Sequence, residues 1–139
     1  LIKNQKKAKE GFKKYLITPE QEFVEAHSFL AIIENKEIPS LKSLKVSKES
    51  YVLGLLDCIG ELKRLVLDNI RKDRLKEANR IFNVMENLYL VLYPLAMYDK
   101  IVKEARRKLD VNRILVEETR AVITEEIRRN HFINALAEK

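Results

Sequence analysis

Apolar positions recur along this chain at three- and four-residue intervals, and the pattern reads as helix with no convincing strand. A basic first segment spans about Ile2 to Leu16. The next helix carries start signals: Thr18 stands as N-cap, Pro19 takes the first helical position, and Gln21 completes a capping box. That helix is expected from Pro19 to about Asn35. A short connection containing Pro39 leads to Ser47, which caps a third helix from about Lys48 to Arg71. A turn at Lys72 to Arg74 precedes a fourth helix, about Leu75 to Tyr93, and Pro94 should kink or break the chain. The last helix is expected from about Leu95 to near Ala137, with Asp110 to Asn112 and Asn130 as the places where it could break. Its apolar stripe of Leu109, Ile114, Leu115, Val122, Ile123 and Ile127 suits packing inside a bundle or against another subunit.

Composition narrows the class. A length of 139 residues suits one domain over residues 1–139 with one hydrophobic core. Only three Gly and three Pro, with 46% hydrophobic and 35% charged residues, favour long helices over strands and tight turns. The fold class is therefore all-α. No run reaches the roughly 18 apolar residues of a membrane span, so no membrane partner is expected. The chain opens at Leu1, not at a methionine, so its start says nothing about a targeting signal. The lone cysteine, Cys58, rules out an intrachain disulfide. Set in an apolar run, it reads as a small buried hydrophobe and not as a nucleophile. A reducing compartment follows as the expectation, and the cytoplasm with it.

The net charge of +6 favours anionic partners, nucleic acid before acidic membrane. Lys3, Lys6, Lys7, Lys9, Lys13 and Lys14 crowd the first segment. Such a run is ordinarily a solvated face, and nucleic-acid contact is its functional alternative.

The acids carry the sharper signal. On the second helix Glu22 and Glu25, at i and i+3, share a face with Phe29, Ile32 and Ile33. They continue an apolar stripe instead of opposing it. On the third helix Val52, Leu53, Leu55, Leu56, Ile59, Leu62, Leu65, Val66 and Leu67 cover most of the circumference. A narrow polar stripe remains, holding Asp57, Glu61 and Arg64. Gly54 and Gly60 in the same helix each cost roughly 1 kcal/mol of helix stability. Close backbone packing or room for a ligand would explain them. If the two helices pack together, four carboxylates converge, and repulsion and lost solvation demand compensation. A divalent cation is one answer and a basic side chain from a neighbouring helix is another. Acids supply the oxygen ligands that Mg²⁺ and Mn²⁺ prefer. Such ions polarise a phosphodiester and activate water, and Arg64, one turn past Glu61, could steady the phosphate. Taken singly, each acid pair is ordinary helix-surface spacing.

The remaining motifs say less. His27 and His131 fall in no zinc-ligand pattern, and no Glu-x-x-His motif supports a di-iron bundle. No glycine-rich phosphate loop is present. Phe12, Tyr15 and Tyr51 could stack on bases, though core packing is the ordinary role.

Two blocks resemble the translin-associated factor X (Trax) branch of the translin family. They are Gln21-Glu22-Phe23-Val24-Glu25-Ala26 followed by Ser28-Phe29, and the run from Tyr51 to Arg64, Tyr-Val-Leu-Gly-Leu-Leu-Asp-Cys-Ile-Gly-Glu-Leu-Lys-Arg. Their order and separation match, with a shorter connection than in eukaryotic members, and the likeness extends loosely through the basic last helix. The resemblance implies a curved bundle of long antiparallel helices that assembles into a hollow, octamer-like homo-oligomer binding RNA and single-stranded DNA. It implies Mg²⁺-dependent endoribonuclease activity, with Mn²⁺ able to substitute. It places the catalytic and metal-binding acids at Glu22, Glu25, Asp57 and Glu61. Translin lacks the acid matching Asp57, so its presence here favours the Trax branch, in an archaeal or minimal form. Arg64, Lys6, Lys7, Lys13, Lys14, Arg106 and Arg107 become candidate phosphate contacts, since backbone phosphates attract Lys and Arg whatever the sequence.

Three other functions compete. An all-α nucleoside-triphosphate pyrophosphohydrolase also binds Mg²⁺ through Glu-x-x-Glu, but its second pair is usually Glu-x-x-Asp, unlike Asp57-x-x-x-Glu61 here. A translin-like shell would bind nucleic acid without cutting it. A helical protein scaffold would show no salt-dependent nucleic-acid affinity.

Overall fold

Ser47 starts the central helix in the manner its sequence dictates. Its Oγ accepts from the Ser50 amide at 3.1 Å, and helix α3 then runs Lys48–Arg71. The computed structural model describes the backbone of residues 2–98 and 104–138, and the side chains of residues 18–95 and 104–138. The other helices are α1 (Ile2–Ile33), α2 (Leu41–Leu44), α4 (Leu75–Leu92) and α5 (Ala105–Ala137), with a 3₁₀ turn at Tyr93–Tyr98. The fold is all-α, and no strand occurs among the described residues. No described helix is long and apolar enough to cross a membrane.

Helix α3 packs against α1, α4 and α5, and forms the spine of the bundle. Leu56, Cys58, Ile59, Leu62 and Val66 are essentially inaccessible to solvent, each large apolar chain contributing about 1.5–3 kcal/mol by burial. Met85, Ile81 and Ala78 meet them from α4, and Leu109, Val116 and Ile123 from α5.

Three expectations need correction. The helix start at Thr18 does not exist: α1 runs on through Pro19. Proline fixes a helix-compatible φ and removes one amide donor, and the next turn is held by α3. Glu20 accepts from Ser50 Oγ at 2.7 Å and from the Ser47 amide at 3.2 Å, so it caps α3 from outside. The Ser50 hydroxyl thereby lowers the Glu20 carboxyl below its usual range. Gln21, read as a capping-box residue, instead donates to Asp57. The second correction is the start of α5, at Ala105 and not Leu95; Pro94 is the second residue of the 3₁₀ turn, and residues 99–103 lie outside the description. The helix is unbroken at Asp110 to Asn112 and at Asn130.

The third correction concerns faces. Helix α5 buries Ala105, Leu109, Asn112, Val116, Thr119 and Ile123, while Ile114 and Val122 face outward. Two polar residues occupy the core ladder because each finds a carbonyl: Asn112 Nδ2 donates to Leu56 O at 2.9 Å, and Thr119 Oγ1 to Leu115 O at 2.6 Å. On α1 the buried face is Val24, Ser28, Ala31 and Ile32, and Ile33 is exposed.

The two glycines of α3 separate cleanly. A Cβ at Gly54 would stand 2.6 Å from Val24 Cβ and 2.7 Å from the Gln21 carbonyl oxygen. Gly54 is therefore the point where α1 and α3 touch backbone to backbone. A Cβ at Gly60 would meet only Leu115 Cδ1, at 3.9 Å, and Gly60 lines a cavity instead.

Candidate functional site

Gly54, Asp57 and Glu61 fall at i, i+3 and i+7 on α3, along one face. The close approach at Gly54 sets α1 against that face. Gln21, one turn before Glu25 on α1, then bonds Asp57. Asp57, Glu61 and Glu25 are half-buried and Glu22 is exposed. All four acids share one electrostatic neighbourhood. The Glu25 carboxyl is raised above the ordinary value of 4.5, first by burial, then by the charges of Asp57, Glu61 and Glu22, with Lys108 offsetting part of the rise. Burial first, and then the charges of Glu25, Glu61 and Asp57, push the Cys58 thiol up to about 12. Cys58 is fully buried and protonated, as the sequence suggested.

Both oxygens of Asp57 are engaged. Gln21 Nε2 donates to Oδ2, and the Lys108 ammonium pairs with Oδ1 from α5. Among the described residues, no three Asp, Glu, His or Cys groups stand as a ready-made ligand set. The donors nevertheless suit a hard cation: carboxylates only, crowded enough to raise one of their number, and already drawing in an ammonium. Glu25, Asp57 and Glu61, with Glu22 at the exposed edge, are the residues that would hold it.

The basic candidates divide. Arg64 is exposed one turn beyond Glu61. Arg106 is exposed, and Arg107 pairs with Glu104 at 2.6 Å. Arg107 and Lys108 line a cavity of about 230 Å³ with Asp57, Gly60 and Asn112. The side chains of Lys6, Lys7, Lys13 and Lys14, like those of Phe12 and Tyr15, lie outside the described residues. Tyr51 is a packing residue whose hydroxyl donates to the Pro39 carbonyl at 2.8 Å. His27 is exposed, edge-on to Phe23 with ring centroids 4.2 Å apart.

Two contacts of the site escaped the sequence reading. Gln21 carried a signal, since it lies four residues before Glu25 on the same face. Lys108 carried none: nothing in the charged stretch of α5 distinguishes it from Arg106 or Arg107 until the helix is docked.

The raised Glu25 carboxyl has a pH consequence. The folded chain holds this proton to higher pH than the unfolded chain, so stability falls as pH rises from about 4.5 through the folded value. Urea denaturation in EDTA across that window should show the loss in the wild type and a shallower one in Glu25→Gln. Identical pH slopes would contradict the crowding of these acids.

Fold and local geometry together define an all-α bundle in which Asp57 of α3 is bonded from both α1 and α5. The chain belongs to the translin family, whose model matches residues 6–123. An uncharacterised protein of Methanocaldococcus jannaschii is 46% identical over 106 residues, 76% of this chain and 47% of that protein. The crystal structure of AfC3PO, an archaeal C3PO, aligns with a TM-score of 0.78 at 29% identity, covering 92% of this chain and 68% of that one. The structure of AfC3PO with duplex RNA gives a TM-score of 0.71 at 31% identity, covering 79% and 58%. The chain thus spans about half the length of its M. jannaschii relative.

Proposed function

We propose that this chain is a divalent-cation-dependent endoribonuclease of the Trax kind, acting on RNA within a homo-oligomeric shell. The observation that carries the reading is the docking of α1 on α3, where Gln21 bonds Asp57 and the Glu25 carboxyl is raised by burial and then by the charges of Asp57, Glu61 and Glu22. A bound Mg²⁺ or Mn²⁺ would supply Lewis-acid polarisation of the phosphodiester and a more acidic water. The protein's part is to hold the oxygens close, through the Gly54 contact and the Gln21 bond, and to present cations to the strand. Exposed Arg64 and Arg106, with cavity-lining Arg107, suit phosphate oxygens. Support for RNA as ligand comes from the related AfC3PO, solved with duplex RNA. Single-stranded DNA is the second ligand this reading allows. Assembly is supported by the far end of α5, where Phe132, Ile133 and Leu136 stand exposed and suit burial between subunits.

Labelled RNA and a panel of nucleoside triphosphates, each with Mg²⁺, Mn²⁺ or EDTA, test the reading. RNA cleavage that requires the cation is expected. Pyrophosphate release without RNA cleavage would favour the pyrophosphohydrolase, although family membership weighs against it. Binding without cleavage in either cation would leave a translin-like shell.

A further inference from the structure

Lys108 reaches Asp57 from a helix that contributes no acid to the site. Its ammonium pairs with Asp57 Oδ1, and the two side chains are 20% and 28% exposed. It is also the cation that offsets the crowding felt by Glu25. The ammonium is thus placed against one of the oxygens that a divalent cation would need. Beside it lies the cavity of about 230 Å³ bordered by Gly60 and Val111, which leaves the side chain room to withdraw. The floor at Gly60 carries no side chain to block that movement.

We propose that Lys108 is the resident counter-ion of the carboxylate cluster, which any entering divalent cation must displace from Asp57. This rests on the reading of the cluster as a cation site. The physical reason is charge balance. Four clustered acids repel in the absence of an ion, and one ammonium neutralises part of that charge. A divalent ion and an ammonium compete for the same oxygen and repel each other at close range. Lys108 is accordingly a positioning residue: it keeps the acids assembled while the ion is absent and sets how tightly the ion binds. It differs from a surface ion pair such as Arg71 with Asp68, both of whose partners are mostly in solvent.

The test is Mn²⁺ binding, followed by titration calorimetry on the full chain, with melting measured in EDTA. Lys108→Met should bind Mn²⁺ at least about tenfold more tightly than the wild type and melt several degrees lower in EDTA, with the gap closing as Mn²⁺ is added. Lys108→Arg, which keeps the charge, should stay near the wild type in both. Should Lys108→Met fail to fold, Lys108→Gln keeps a donor to Asp57 without the charge and carries the same expectation. Equal or weaker Mn²⁺ binding by the neutral variants would overturn the proposal while leaving the cation site intact. Absence of Mn²⁺ binding in the wild type and variants alike would overturn the cation site itself, and this proposal with it.

Discussion

Asp57→Asn should lower RNA cleavage by more than about a hundredfold, since changes merely behind a metal ligand already cost 10–100-fold. The substitution keeps the side chain's shape and removes its charge. Asp57 stands at the junction of the site: Gln21 from α1 and Lys108 from α5 both bond its carboxylate. The variant should still fold, because the half-buried pair with Lys108 contributes on the order of 1–2 kcal/mol. RNA affinity, measured by filter binding, should hold or rise slightly as negative charge leaves the site. Cleavage by Asp57→Asn at the wild-type rate would remove the acid cluster from the mechanism.

Gly54→Ala should be the most damaging conservative change in the helical core. The added methyl would collide with Val24 and with the backbone oxygen of Gln21, and backbone cannot rotate away. Overpacking of this kind costs about 1–3 kcal/mol, partly offset by the better helix propensity of alanine, roughly 1 kcal/mol. The geometric effect is larger than the energetic one. Helix α1 must move off α3 at the contact that brings Glu25 and Gln21 to Asp57, so cation binding and cleavage should fall further than stability does. Gly60→Ala is the control. Its methyl makes only an ordinary van der Waals contact with Leu115 Cδ1 and should leave stability unchanged or improved by about 0.5–1 kcal/mol. Urea denaturation of the two variants should separate them, and equal effects would mean that α1 and α3 are not in close contact at Gly54.

What the sequence made legible follows from where its signals are local. Helix α3 matched its expected bounds because Ser47 is a cap that acts on its own next turn and because apolar residues surround the helix. The approach of the Glu25 face of α1 to Asp57 on α3 was hinted at because these acids interrupt apolar faces. Pro19 misled because it is equally at home at a helix start, and only the docking of Glu20 and Gln21 on α3 shows why the helix continues through it. The face of α5 misled because Asn112 and Thr119 are buried, which becomes favourable once the Leu56 and Leu115 carbonyls accept from them. Lys108 was invisible for a related reason: its role depends on which of several neighbouring cations the docked helix turns toward Asp57.

The acid cluster is tested most directly by a crystal structure of the protein soaked with Mn²⁺, whose anomalous scattering marks the ion without ambiguity. Electron-dense Mn²⁺ between α1 and α3, bound by oxygens of Glu25, Asp57 and Glu61 with Glu22 at its edge, is the expected result. Manganese bound elsewhere, with Asp57 still holding Gln21 and Lys108, would contradict the account.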